Sequence, residues 1–436
     1  MSAHDDDRQR PGSVTAQVVA DWLTTVAADG LRRGPEAVLA GLRSVSDLAA
    51  PRVVDAGVAV VLRAQVDRLW SLGWLPVDLV EVARRQGSAL AAAVVVDAMA
   101  DAAQQYPAAS VHPRWLEQLR SVGAGSPWWN PGAPYPGQWT ARHGADRETL
   151  LAAALELVGV ALRLPALQVI VPPPGRVSGA ADRADGASRP RQGPSTEPLS
   201  GPSSEKMLSR VRALLAKAES TQFPDEAEAL SAKAQELMSR YSIEQALAEP
   251  VVPGRRTTVA SARRIWLEAP YLGPKTLLVA EVGSANHCRT VSSEKLGFVT
   301  VLGAEVDLDV VEVLSTSLLV QAARAMLASG TQYTRLGTSR TRSFRHAFLL
   351  SYATRIGERL REAAAQTAAA TGTDLVPVLA GRAHAVDTLF TSLFATATVR
   401  RSFSAGNAAG WGAGRSAADR AVLATERRAV RRSSRP

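Results

Sequence analysis

Lys206–Glu249, KMLSRVRALLAKAESTQFPDEAEALSAKAQELMSRYSIEQALAE, reads as two short amphipathic helices joined by a turn. Leu208, Val211, Leu214, Leu215 and Ala218 recur at helical spacing and make one apolar stripe, with Lys206, Arg210 and Lys217 off it. Ser220-Thr221 interrupts the pattern. Pro224 suits a first helical position, where its missing N–H would be unpaired anyway. Asp225, Glu226 and Glu228 then place negative charge where the helix dipole favours it. Leu230, Ala234, Leu237, Met238 and Tyr241 form a second stripe. Two stripes with a short connection pack as an antiparallel hairpin. Roughly 40 residues bury too little surface to stand alone, so the hairpin is expected to dock on a neighbour.

The periodicity differs on either side of the hairpin. Residues 13–170 read as an all-helical domain, with helical apolar spacing over Val14–Ala28, Pro35–Leu42, Pro51–Leu72, Pro76–Met99 and Arg147–Leu162. Gly73 ends one helix and Pro76 restarts the next, with Trp70 and Trp74 expected to pack that corner. Pro127–Trp139, PWWNPGAPYPGQW, must be irregular, and its aromatics are expected to fold back over the helical core rather than stand exposed. Residues 171–204, rich in Pro, Gly, Ser and Ala, read as a disordered linker. Beyond the hairpin (205–249), residues 255–400 read as an α+β domain. Strands are expected at Arg263–Ala269, Cys288–Val291 and Phe298–Leu302, and helices at Pro274–Val282 and Val306–Leu327, giving the order β-α-β-β-α. Further helices run from Arg342 to about Ala369 and over Leu375–Phe394, and 401–436 read as a basic Gly/Arg-rich tail.

The hairpin also resembles the domain of unknown function 2786 family. Downstream residues such as SFRHAFLLSYATRIGERL are similar to the segment after the hairpin in members from actinobacteria and their phages, so the resemblance spans roughly residues 206–425. It implies placement without chemistry, because no activity is established for that family.

Composition narrows the classes. The chain of 436 residues has 46% hydrophobic content, ample for packed cores in two or three domains. A single cysteine, Cys288, excludes a disulfide framework and a multi-cysteine zinc site. The opening MSAHDDDRQR lacks the basic-then-apolar pattern of a signal peptide, and Glu156, Arg163 and Pro165 interrupt the most apolar window, Leu150–Val171. A cytoplasmic protein without membrane partners is expected. The net charge of +9 is uneven: residues 1–170 carry 15 basic against 17 acidic residues, and residues 251–436 carry 25 against 13. Nearly all of that surplus is arginine, whose fork suits phosphate, although arginine is preferred over lysine along the whole chain.

Four constellations bear on function. Arg345, Tyr352, Arg355 and Arg359 fall within roughly an 80° arc of one helix, beside Phe348, as a nucleic-acid surface needs; the competing reading is a core face with arginines at its edges. Arg415, Arg420, Arg427 and Arg428 extend the basic character into the tail, where Gly410–Gly414 resembles a phosphate loop only superficially. Glu305, Asp307 and Asp309 alternate after the third strand, either as ligands for a divalent metal or as a negative helix N-terminus. His287-Cys288 would point to opposite faces of a strand, so a buried structural cysteine is expected rather than a nucleophile. The leading functional expectation is non-catalytic binding of DNA or RNA through the C-terminal region, with no cofactor. The alternatives are a metal-dependent phosphodiesterase using Glu305, Asp307 and Asp309, and a protein-interaction scaffold built on the N-terminal helices and the tryptophan loop.

Overall fold

Helix-starting prolines and helix-ending glycines punctuate the first part of the chain, and the structure obeys them. The computed structural model describes residues 14–176, 202–220, 237, 260–330, 339–371, 376–395 and 407–421. The chain divides into two units, Met1–Gly193 and Pro194–Pro436. The division falls within the segment read as a linker, of which 177–201 lies outside the described residues.

The described part of the first unit is helical throughout, apart from its loops and turns: α1 (Ala16–Arg33), α2 (Pro35–Leu48), α3 (Pro51–Ser71), α4 (Pro76–Gln86), α5 (Ala89–Ala103), α6 (Pro113–Ser121), α7 (Trp139–His143) and α8 (Arg147–Arg163). Proline occupies the first turn of α2, α3, α4 and α6. Gly73, at φ 88°, lets the chain leave α3, and the Asp78 carboxylate accepts the Leu75 N–H to open α4. Trp70 and Trp74 are buried at this corner, and the Trp74 indole donates to the Pro165 carbonyl. The single helix expected over Pro76–Met99 is two. Gly87 ends α4, and Ser88 caps α5 by accepting the Ala91 N–H. Apolar periodicity runs through both segments and conceals the break. Short α6 and α7 were not expected from spacing, although His112-Pro113 carries the start signal for α6.

The second unit opens with α9 (Pro202–Ser220), the first helix of the expected hairpin. The second hairpin helix lies outside the described residues, apart from Leu237. Then come β1 (Ser261–Trp266), α10 (Leu272–Ala285), β2 (Arg289–Ser293), β3 (Phe298–Gly303) and α11 (Glu305–Ala328), the β-α-β-β-α order expected. The sheet is antiparallel with order β1-β3-β2; Ile265 faces Val299 and Thr290 faces Val301. Central β3 is buried along its whole length. Val279, Val282, Val299, Val311, Leu314 and Leu318 join the sheet to α10 and α11 in one core. Helix α9 docks on α11: Val211 and Leu215 bury with Val310, and Leu214 and Leu237 pack alongside. Helix α11 is also long and apolar enough to cross a membrane by length and composition, yet its apolar face lies in this core.

Three further helices complete the unit: α12 (Thr341–Thr371), α13 (Val376–Leu393) and α14 (Ala408–Arg420). Here the structure corrects the sequence reading. Residues 408–420, read as part of a basic tail and weighed as a loop, form a helix packed along α12. Ser351 donates to the Trp411 carbonyl, and Asn407 both caps Gly410 and reaches Ser343. Gly410 lies against the carbonyl of Phe344 and Gly414 against that of Phe348, so a Cβ at either would strike α12 backbone. Four-residue glycine spacing clears one stripe for backbone contact, and the neighbouring alanines supply helix propensity. Gly414→Ala is expected to destabilise the protein by about 1–3 kcal/mol. Gly412, with open space around it, is the internal control: Gly412→Ala should be neutral or stabilise by up to about 1 kcal/mol. Denaturant titration of the two variants distinguishes a packed helix from a loose tail.

Candidate functional site

Along α12 the side chains read as a nucleic-acid face divide between the core and the α14 seam. Phe344, Phe348, Tyr352 and Ile356 are buried in the core of the second unit, with Phe348 stacked on Tyr352. Tyr352 therefore offers no exposed ring for a base. Burial raises its phenol above the usual tyrosine value.

Arg355 and Arg359 of this helix are engaged within the fold. Arg359 is buried and donates to the carbonyls of Ala418 and Ala421, the latter at 2.8 Å, closing the C-terminal end of α14. A cation there also meets the negative end of the helix dipole. Arg355 bonds Asp419 of α14 and Glu358 of its own helix (3.0 Å), and Arg415 bonds the same Glu358 at 2.9 Å. Hydrogen bonds from Arg415 and then Arg355 hold the Glu358 carboxyl below the usual glutamate value, and Asp419 chiefly raises Arg355. Arg345 lines a cavity together with Tyr352, and Arg420 is exposed at the end of α14. Arg427 and Arg428 lie outside the described residues.

The acidic trio is likewise met by arginine. Glu305 and Asp307 occupy the first turn of α11. Arg263 of β1 faces Glu305 (3.4 Å), Asp309 (2.8 Å) and Glu312 (2.5 Å). Burial would push the Arg263 guanidinium down, but Glu312 and Asp309 outweigh it and hold it up. At Asp309 burial dominates and raises the carboxyl despite Arg263. Asp307 is turned inward, 4% exposed, with Arg382 of α13 (2% exposed) 3.6 Å away. A guanidinium thus stands where a divalent ion would have to bind. Among the described residues, no group of three or more His, Cys, Asp or Glu side chains could hold a metal ion. Arg263 and Arg382, distant in sequence from the acids they meet, gave no local signal of that role.

His287 and Cys288 precede β2 rather than lying within it, and His287 has a left-handed backbone (φ 57°). Cys288 is a free, buried thiol against Gly303. Burial first, then the Asp307 charge, push its pKa well up, the reverse of an activated nucleophile.

In the first unit the aromatic loop folds inward. Buried Asp97 of α5 accepts the indole N–H of Trp128 (2.7 Å) and of Trp139 (2.9 Å) and meets His143 Nε2 at 2.9 Å. Tyr135 and Trp139 are buried, and Trp129 stacks on Tyr135. One carboxylate gathers three aromatic side chains, a role invisible in the apolar run VVVDAMA.

Residues 206–245 match the model of a family described as Protein of unknown function (DUF2786). No curated protein and no solved structure matches the chain. The match covers the hairpin and stops before the sheet.

Asp307→Ala strips the buried Arg382 guanidinium of its acidic neighbour and is expected to cost about 3–5 kcal/mol of stability, read by chemical denaturation. Loss of a metal-dependent cleavage at unchanged stability would instead identify the acids as ligands. Cys288 is expected to resist an aromatic disulfide reagent in the native protein and to react stoichiometrically once unfolded; rapid native labelling would contradict its burial.

Proposed function

We propose that the second unit binds nucleic acid without catalysing a reaction on it. One observation carries this reading: the surplus of basic residues after residue 250 includes arginines left exposed at the paired ends of two helices. Arg340 and Arg342 are exposed at the start of α12, and among the described residues neither has an acidic partner. The N-terminus of α14 lies beside them, joined by the 3.3 Å Asn407–Ser343 hydrogen bond. The chain directions agree, because Gly410 sits at Phe344 and Gly414 at Phe348. Two parallel helices therefore present their positive dipole ends together, next to two exposed guanidinium groups, a setting suited to backbone phosphates.

The contact moves accordingly. Arg355, Arg359 and Arg415 serve the α12–α14 seam, and Tyr352 belongs to the core. Arg340 and Arg342 take their place in the proposal, with Arg420, Arg427 and Arg428 as further cations toward the C-terminus. Such contacts read phosphate rather than base edges, so the affinity is sequence-independent and salt-sensitive. The proposal includes a cytoplasmic setting and a protein partner for the helices of the first unit.

Fluorescence anisotropy with labelled DNA and RNA on the full chain tests the reading. Binding at low salt should weaken steeply as salt rises. The double variant Arg340→Ala/Arg342→Ala should reduce the log–log salt slope by about two. No salt-sensitive binding to either polymer would end the proposal.

A further inference from the structure

Helices α10, α11 and α12 enclose a cavity of about 170 Å³ within the second unit. Leu278, Leu319, Ala322, Met326 and Leu349 make its wall apolar. Tyr271, Lys275, Arg345 and Tyr352 interrupt that wall with polar groups. Tyr352 is 1% exposed, and its hydroxyl has no hydrogen-bond partner among the described residues. The Arg345 Nε is also buried, with no partner among the described residues. The two residues lie about two turns apart on α12 and so share one face. Lys275, also in the wall, donates its ammonium to the Glu268 carbonyl. At the rim Tyr271 holds a left-handed backbone (φ 69°), a conformation a non-glycine residue adopts at a cost and one that clusters at ligand sites.

Folded proteins satisfy nearly all their buried polar groups, and a buried donor without an acceptor is destabilising. Two such donors in the wall of one apolar cavity describe a missing acceptor. A guanidinium and a phenol hydroxyl both donate, and burial keeps the phenol protonated, so the complementary group is an anion with two oxygens. A phosphate dianion would bring further oxygens against Leu278, Leu319, Ala322 and Met326, and the Lys275 ammonium is already engaged by the Glu268 carbonyl. The size is that of a small ring or short branched chain, since a cavity of roughly 150 Å³ accommodates benzene.

We propose that this cavity binds a small amphipathic carboxylate, an aromatic or aliphatic acid of roughly six to nine carbons. Its carboxylate lies on Arg345 and Tyr352, and its hydrocarbon body lies among Leu278, Leu319, Ala322 and Met326. The site is distinct from the polyanion surface, whose Arg340 and Arg342 are exposed, and it stands or falls separately.

Isothermal titration of the full chain with benzoate and hexanoate tests the assignment, with benzamide and inorganic phosphate as controls. One or both acids should bind saturably and raise the melting temperature. Benzamide and phosphate should bind at least about tenfold more weakly. Arg345→Gln and Tyr352→Phe should each weaken the acid by about tenfold, while Tyr352→Phe leaves the unliganded melting temperature unchanged or higher, because it removes an unsatisfied buried hydroxyl. Three results would overturn the proposal. They are no saturable binding of either acid up to roughly 10 mM, affinity unchanged in both variants, and a lowered melting temperature for Tyr352→Phe, which would show the hydroxyl already partnered.

Discussion

Backbone-level contact between α12 and α14 is the constraint on which the rest of the second unit depends. Gly410 and Gly414 bring α14 so close that the polar groups along the seam must be settled within the protein. Arg359 reaches the last carbonyls of α14, Arg355 reaches Asp419, and Arg415 reaches back to Glu358. The pairing is local and dense, and it turns a segment with the composition of a charged tail into part of the fold. The same contact aligns the two helix N-termini that frame Arg340 and Arg342. Packing therefore decides which arginines hold the structure and which remain available to a ligand.

The fold was legible wherever its signals were local. Alternation in RRIWLEA, the turn around Gly297 and the long apolar repeat after Glu305 are each complete within a few residues, and strands and helices formed there in the expected order. Proline placement fixed helix starts at 35, 51 and 76 for the same reason. The break at Gly87-Ser88 was overridden by apolar spacing that continued across it. The helix at 408–420 was concealed by its glycines, which lower helix propensity taken alone but are required by the partner helix. Only the three-dimensional neighbour reveals that requirement.

The site residues were less legible because charge pairing is a long-range property. Helical periodicity correctly placed Arg355 and Arg359 near one another, but it could not show that Asp419 and Ala421, some sixty positions onward, would meet them. Arg263 and Arg382 likewise become meaningful only when β1 and α13 bring them to the start of α11. A surplus of arginine thus overstates the free cationic surface whenever the fold has helix ends and carboxylates to absorb it. The quantity that bears on a polyanion is the number of guanidinium groups left without such partners.

The two units also differ in how they treat buried polarity, and the contrast supports placing the proposed acid in the second. In the first unit Asp97 is saturated by Trp128, Trp139 and His143, while Asp55 and Asp101 face Arg147 and Arg63. These carboxylates organise helices and loop, each meeting hydrogen-bond donors where it is buried. Trp70 Nε1 and Tyr135 Oη have no partner there among the described residues, but neither residue lines the small apolar cavity among Leu62, Leu69 and Val160. In the second unit the unpartnered groups of Arg345 and Tyr352 share the wall of an open volume. An isolated orphan in tight packing is a local cost with nowhere to put an acceptor. Two donors beside a space of molecular size make that cost recoverable, and recovery by a ligand is what separates a binding site from a packing defect.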